Sequence, residues 1–195
     1  MILLKPLNKK MDFNIGQYKV KFNNEFKRKI EIKESPTSQF DILEIGSIEY
    51  SGVSIVLALR KDTEDKAIVP FIAETKMPNG EFIIMFDYEC YTNFNQQIYR
   101  CYLAHELGHI ISELNKNVFP YQTFEEKEKE VLEKKLNANE NFADIEALKL
   151  IGNKNTYIKS LEYLIERISD FNDEEDLRLK LTMTESIKLR IRALK

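Results

Sequence analysis

A change of period near residue 91 constrains the fold of this chain more than any other feature. From about Phe13 to Tyr88 the sequence runs in short β-branched or alternating stretches: QYKVKF, KIEIK, FDILEIGSIEY, VSIVLAL, AIVPFIA and EFIIMFDY. Such runs read as strands. Gly16, Gly46, Gly52 and the Pro78-Asn79-Gly80 triplet punctuate them. Pro70 lacks a backbone donor and favours an edge position for its run. After Tyr91 the pattern becomes helical to the end. The expectation is an α+β fold, with a small, mostly antiparallel sheet over 1–90 followed by a helical half over 91–195, in a single domain spanning 1–195.

The chain has 195 residues, 43% hydrophobic and 31% charged, which suits one soluble globular domain with a real core. A formal net charge of −3 gives no reason to expect a nucleic-acid partner. No apolar run is long enough to span a membrane, and the opening MILLKPLNKK lacks the parts of a signal peptide. A cytoplasmic location is expected. Cys90 and Cys101 are too few for a disulfide framework and lack CxxC spacing, so both read as reduced thiols.

Chemistry concentrates in Arg100–Leu114, RCYLAHELGHIISEL. Residues four apart share a helix face, so His105 and His109 can aim two imidazole nitrogens at one point. Zinc accepts imidazole nitrogen readily, and a catalytic zinc takes three protein ligands with the fourth position left to water. Glu106, beside the first histidine, is placed to take that water's proton. The chain has only two histidines, and both fall in this motif. The plain alternative is a helix whose histidines are satisfied by ordinary neighbours. Gly108 speaks against it: glycine inside a helix costs roughly 1 kcal/mol relative to Ala and needs a reason, here the close approach of a second backbone or of a substrate. Ile98, Tyr102, Leu103, Ile110 and Ile111 form a broad buried stripe on this helix, with Thr92-Asn93 or Asn95 as its cap.

Downstream, Thr123 and Glu126 form a capping box, and FEEKEKEVLEKK carries Glu125/Lys129 and Glu130/Lys134 at the spacing of an exposed, salt-bridged helix. Asn137, Asn139 and Asn141 predict a break before ENFADIEALKLIG, Glu140 to Gly152, with Gly152 as C-terminal cap and Lys149 suiting the negative helix end. With no third histidine, the remaining ligand is a carboxylate or a partner's residue. Glu140 is the candidate; spacing alone leaves it equally open to being a solvent-facing carboxylate, with Glu133 or Asp144 as replacements. Ala143 and Ala147 keep the neighbourhood small enough for this helix to back against Gly108. Asp144, one turn on from Glu140, could accept the free ring N–H of a liganding histidine and fix its tautomer.

HExxH followed well downstream by ExxAD resembles the gluzincin metallopeptidases, whose third ligand is the Glu of such a helix; the resemblance maps it onto Glu140. RCYLAHELGH is similar to the RFTxAHELGH of ImmA/IrrE-type peptidases, and ENFADIEA to the ExxADxxA of HtpX-type peptidases. The resemblance covers roughly Phe82 to Leu150 and implies a zincin-like fold holding Zn2+ through His105, His109 and Glu140, with Glu106 as general base. It implies a peptidase acting on a restricted protein or peptide substrate. Alternatively, as in an ImmA/IrrE-type regulator, the zinc site is structural or silent until a partner binds; a toxin or phage-exclusion protease aimed at one host protein would share the same chemistry.

Ile158, Leu161, Ile165 and Ile168 form an amphipathic stripe expected to pack as core. The final TMTESIKLRIRAL is loosely similar to the Arg-Ile end of HtpX-like chains. Arg190 there reads first as a charged residue on an amphipathic helix. A tetrahedral oxyanion would need a second stabiliser, for which Tyr157, Tyr163 and Arg190 are the candidates. The Phe82-containing run before the HELGH helix could pair with an extended substrate at the sheet edge, or be an ordinary core strand.

Overall fold

A computed structural model describes residues 12–23, 29–35, 38–61, 72–77, 79–87, 95–117, 119, 122–169 and 177–195. The expectations on Pro70, Cys90, Thr92 and Asn93 lie outside the described residues. The fold is α+β. Two compact units divide at Asn95/Gln96. None of the described helices is long and apolar enough to cross a membrane.

The first unit is a seven-stranded sheet of β1 (Phe13–Ile15), β2 (Tyr18–Phe22), β3 (Lys29–Ser35), β4 (Ser38–Tyr50), β5 (Val53–Lys61), β6 (Ile72–Lys76) and β7 (Phe82–Asp87). Its order is β1-β2-β4-β5-β7-β6, with β3 also pairing β4. Long β4 pairs with β5 on one edge and divides its other edge between β3, along its first half, and β2, along its second. The change of partner comes at a register shift between Glu44 and Gly46. A side chain at Gly46 would meet the Lys21 carbonyl oxygen at 2.2 Å, so only glycine lets β2 close there. All pairings are antiparallel except β5 with β7, which is parallel.

Ile55–Leu59 and Phe82–Phe86 are buried without interruption, as strands covered on both faces are. β7 has β5 along one edge and β6 along the other. The expectation that the Phe82 run pairs with substrate therefore fails, because both of its hydrogen-bonding edges are taken; the alternative of a core strand holds.

The second unit has five helices among the described residues: α1 (Gln96–Leu114), α2 (Phe124–Leu132), α3 (Ala138–Ile151), α4 (Lys154–Ser169) and α5 (Leu177–Leu194). α1 packs on α3 and α4, α5 touches α2, α3 and α4, and α3 also touches α4. Asn95 directly precedes α1, at the position of a cap. Burial on α1 exceeds the predicted stripe: Tyr99, Cys101–His105, Leu107, Gly108 and Ile110–Ser112 are buried, while Ile98 is only half-buried. The Tyr102 hydroxyl donates to the Ser160 carbonyl at 2.7 Å and ties α1 to α4. On α4 the expected stripe is core at Ile158, Leu161 and Ile168, joined by the fully buried Tyr157, with Ile165 half-buried.

Local signals set the helix ends. Thr123 and Glu126 make the capping box in full. α2 buries no residue and stops at Leu132. Lys134 therefore lies beyond the helix at φ 55°, so the predicted Glu130/Lys134 helical pair does not form. Glu130 instead accepts from Gln122 at 2.7 Å and from Asn137 at 3.2 Å. The asparagine cluster breaks the chain as expected, and Asn137 caps α3 by accepting from the backbone N–H of Asn139 and Glu140. Gly152 ends α3 in the left-handed conformation.

The contact between α1 and α3 is closest at Gly108. A Cβ there would lie 2.6 Å from the Ala143 oxygen and 2.8 Å from the Ala143 Cα, both backbone atoms that cannot rotate away. Gly108→Ala gains about 1 kcal/mol of helix propensity and still destabilises, because parting two packed helices costs about 1–3 kcal/mol or more. Urea unfolding of the metal-free protein should show that net loss; a Gly108→Ala variant as stable as the wild type would contradict so close an approach.

Candidate metal centre

α1 and α3 bring three donors together. His105 and His109 project from one face of α1, and Glu140, in the first turn of α3, meets them. His105 Nε2 lies 3.2 Å from His109 Nε2 and 3.2 Å from Glu140 Oε2; His109 Nε2 lies 3.8 Å from Glu140 Oε1. Zinc bonds of about 2.0–2.1 Å in a tetrahedron put neighbouring donors about 3.3 Å apart. The spacing of the three suits a cation of that size. Among the described residues they are also the group of His, Cys, Asp and Glu whose donor atoms lie within 4.8 Å of one another. Two imidazole nitrogens facing each other at 3.2 Å cannot both present bare lone pairs without repulsion; a proton or a cation has to be shared there.

Each histidine's other nitrogen is already committed. His105 Nδ1 lies 3.0 Å from Asp144 Oδ1, and His109 Nδ1 lies 3.1 Å from Asn139 Oδ1. Donation to these oxygens leaves Nε2 of both rings for the shared point. Asp144 is buried and gathers three donors: His105 Nδ1, the Tyr157 hydroxyl at 2.6 Å, and Arg190, whose Nε reaches Oδ2 at 2.9 Å and whose Nη2 reaches Oδ1 at 2.6 Å. Arg190 also reaches Glu140 Oε2 with Nη1 at 3.1 Å. Of the three, Glu140 has the most exposed side chain, at 27%, against 9% and 10% for His105 and His109. The centre is open on its Glu140 side. Glu106 follows His105 and is half-buried between buried neighbours.

The electrostatics are those of a balanced, dry cluster. Burial and then the Arg190 charge work against an imidazolium at His105, but its hydrogen bonds to Asp144 and Glu140 outweigh them and hold its pKa at about 9. Burial, followed by the charge of His105, pushes His109 down to about 4. Burial favours the neutral form of Glu140 and Asp144, yet Arg190 and His105 keep both carboxyls below their ordinary range. Without metal, Arg190 and His105 thus offset Glu140 and Asp144.

All four expected residues of the metal centre, His105, His109, Glu140 and Asp144, come together, and Glu133 lies on the exposed turn after α2. The oxyanion candidates fare differently. Tyr157 and Arg190 are at the centre, but their polar atoms are spent on Asp144, Glu140 and the ring of His105. Tyr163 stands on another face of α4 than Tyr157. Asn139 carries a role that its reading as a weak helix former missed. The signal for Arg190 was its place on α5 among Ile187, Ile191 and Leu194, where a charged side chain has to find a buried partner. A scan against protein-family models, a search of curated proteins and a search of solved structures each returned no match.

The two rings give a direct test. In the metal-free protein, proton NMR should show one histidine titrating near pH 9 and the other near pH 4. For His105 the folded pKa exceeds the unfolded value of about 6.5, so its stabilisation is complete below that pH and fades as pH rises through 9. His109 has the opposite sign: its contribution holds above about 6.5 and fades as pH falls through 4. Two ordinary titrations near 6.5 would mean that the rings do not meet these partners.

Proposed function

We propose that this chain is a zinc-dependent peptidase of the gluzincin type, acting on a restricted protein or peptide substrate. The observation that carries this reading is the convergence of His105, His109 and Glu140 at spacings that suit a tetrahedral zinc, with the Nδ1 of each ring facing a side-chain oxygen. Similarity of HELGH and ENFAD to the motifs of that class supports it. Zinc bound by these residues would lower the pKa of a coordinated water toward about 7 and polarise a scissile carbonyl.

The chain's own residues do the rest. His105 and His109 bind through Nε2, and Asp144 and Asn139 hold the rings so that those nitrogens stay aimed. Glu140 supplies a negative ligand from α3. Glu106, adjacent to His105 on α1, takes the proton of the attacking water on its carboxylate and hands it to the leaving amine. Its place beside the first liganding histidine is what recommends it for that role. We also propose a cytoplasmic location, with the buried free thiol of Cys101 kept reduced.

Purified protein should carry about one zinc per chain, removable by chelator, and Glu106→Gln should lower peptidase activity by at least about 10²-fold while zinc is retained. Metal analysis alongside cleavage of an unbiased peptide library checks both halves. Protein that takes up no zinc sinks the reading at its first step; a Glu106→Gln variant that still cleaves at wild-type rate removes Glu106 from it.

A further inference from the structure

Arg190 is a charged side chain buried to 8% exposure, and it lies on a different helix from every residue it serves. Its fork reaches two carboxylates one turn apart on α3. Nε and Nη2 hold Asp144 at 2.9 and 2.6 Å, and Nη1 holds Glu140 Oε2 at 3.1 Å. Nη2 also lies 3.1 and 3.4 Å from the two ring nitrogens of His105. A structural ion pair would need only Asp144. Reaching Glu140 as well requires the planar, multi-donor geometry of guanidinium, which a lysine ammonium cannot reproduce.

We propose that Arg190 is the positioning residue that makes Glu140 a one-oxygen ligand, and that it orients His105 through the same guanidinium. Nη1 shares Oε2 with His105 Nε2, 3.2 Å away, while Oε1 faces His109 Nε2 at 3.8 Å, so the bond from Nη1 fixes the rotation of the carboxylate and gives its two oxygens unequal places at the centre. A carboxylate free of such a partner can swing to bind through both oxygens and fill the position that a catalytic centre keeps open. The two nitrogens on Asp144 hold the carboxylate that in turn directs His105 Nε2 toward the same point. α5 therefore sets the coordination made by α1 and α3. This inference rests on the metal-centre reading above.

The test uses Co2+ in place of zinc, because four-coordinate Co2+ absorbs visible light much more strongly than five- or six-coordinate Co2+. Two variants are compared with the wild-type chain. Arg190→Lys keeps the charge and loses the fork. Arg190→Gln combined with Asp144→Asn removes both members of the buried ion pair, leaving no uncompensated buried charge should the first variant fail to fold. The wild type should give the strong four-coordinate spectrum. Both variants should still take up one Co2+ per chain, with the visible bands weakened and shifted, affinity lower by roughly 10–100-fold, and kcat falling while KM holds. Spectra and affinities superimposable on those of the wild type would overturn the role of Arg190 while leaving the metal centre standing. A wild-type chain that binds neither Co2+ nor zinc would remove the metal-centre reading itself, and the role of Arg190 with it.

Discussion

The candidate centre depends on how closely two backbones can approach. α1 presents its histidines and α3 its carboxylates, but the side chains meet only because Gly108 lets α1 settle against the Ala143 backbone. Any side chain at Gly108 would part the helices by a fraction of an ångström to more than one, and donors now 3.2 Å apart would part with them. The small residues Ala143 and Ala147, fully buried on the facing side, extend this seam along α3. Packing here is therefore part of the chemistry: an error that a core elsewhere would absorb through a rotamer change passes directly into ligand geometry.

Charge follows from that packing. A cluster of Glu140, Asp144, Arg190 and His105 in a largely buried setting would be costly if any one charge stood alone, and breaking one member of such a set costs about 3–5 kcal/mol. Asp144 resolves the conflict by accepting from three side chains on three helices, His105 of α1, Tyr157 of α4 and Arg190 of α5. The helical unit is thereby cross-linked through one carboxylate as well as through its apolar core. A divalent cation entering at the histidines must displace the His105 proton, which couples metal affinity to pH.

What was legible in the sequence is what local geometry decides. The i,i+4 spacing in HELGH, the Thr123–Glu126 box, the asparagine break and the Gly152 cap depend on neighbours a turn away and all formed. Gly108 and Ala143 could be matched because small residues in two helices that each hold a charged motif point to a close approach. The role of Arg190 was hidden because its partner Asp144 lies 46 positions away, and no helical period encodes which buried charge another helix will supply. The parallel pairing of β5 with β7 was hidden likewise: strand runs identify strands but not their neighbours. The near-complete burial of α1 exceeded its apolar stripe because small and polar residues, Ala104, Gly108 and Ser112, are covered along with the large ones.

Asn137 caps α3 and places Glu140 in its first turn, while both histidines belong to the interior of a continuous nineteen-residue helix. The two kinds of ligand consequently differ in how firmly they are held. The histidine pair persists as long as α1 does; Glu140 arrives only when the start of α3 is formed and docked, at the end of a helix where fraying begins. A cation at this centre would be lost from the carboxylate side first. Its retention would then act as a gauge of tertiary closure in the helical unit, falling away while the helix content of the protein was still intact.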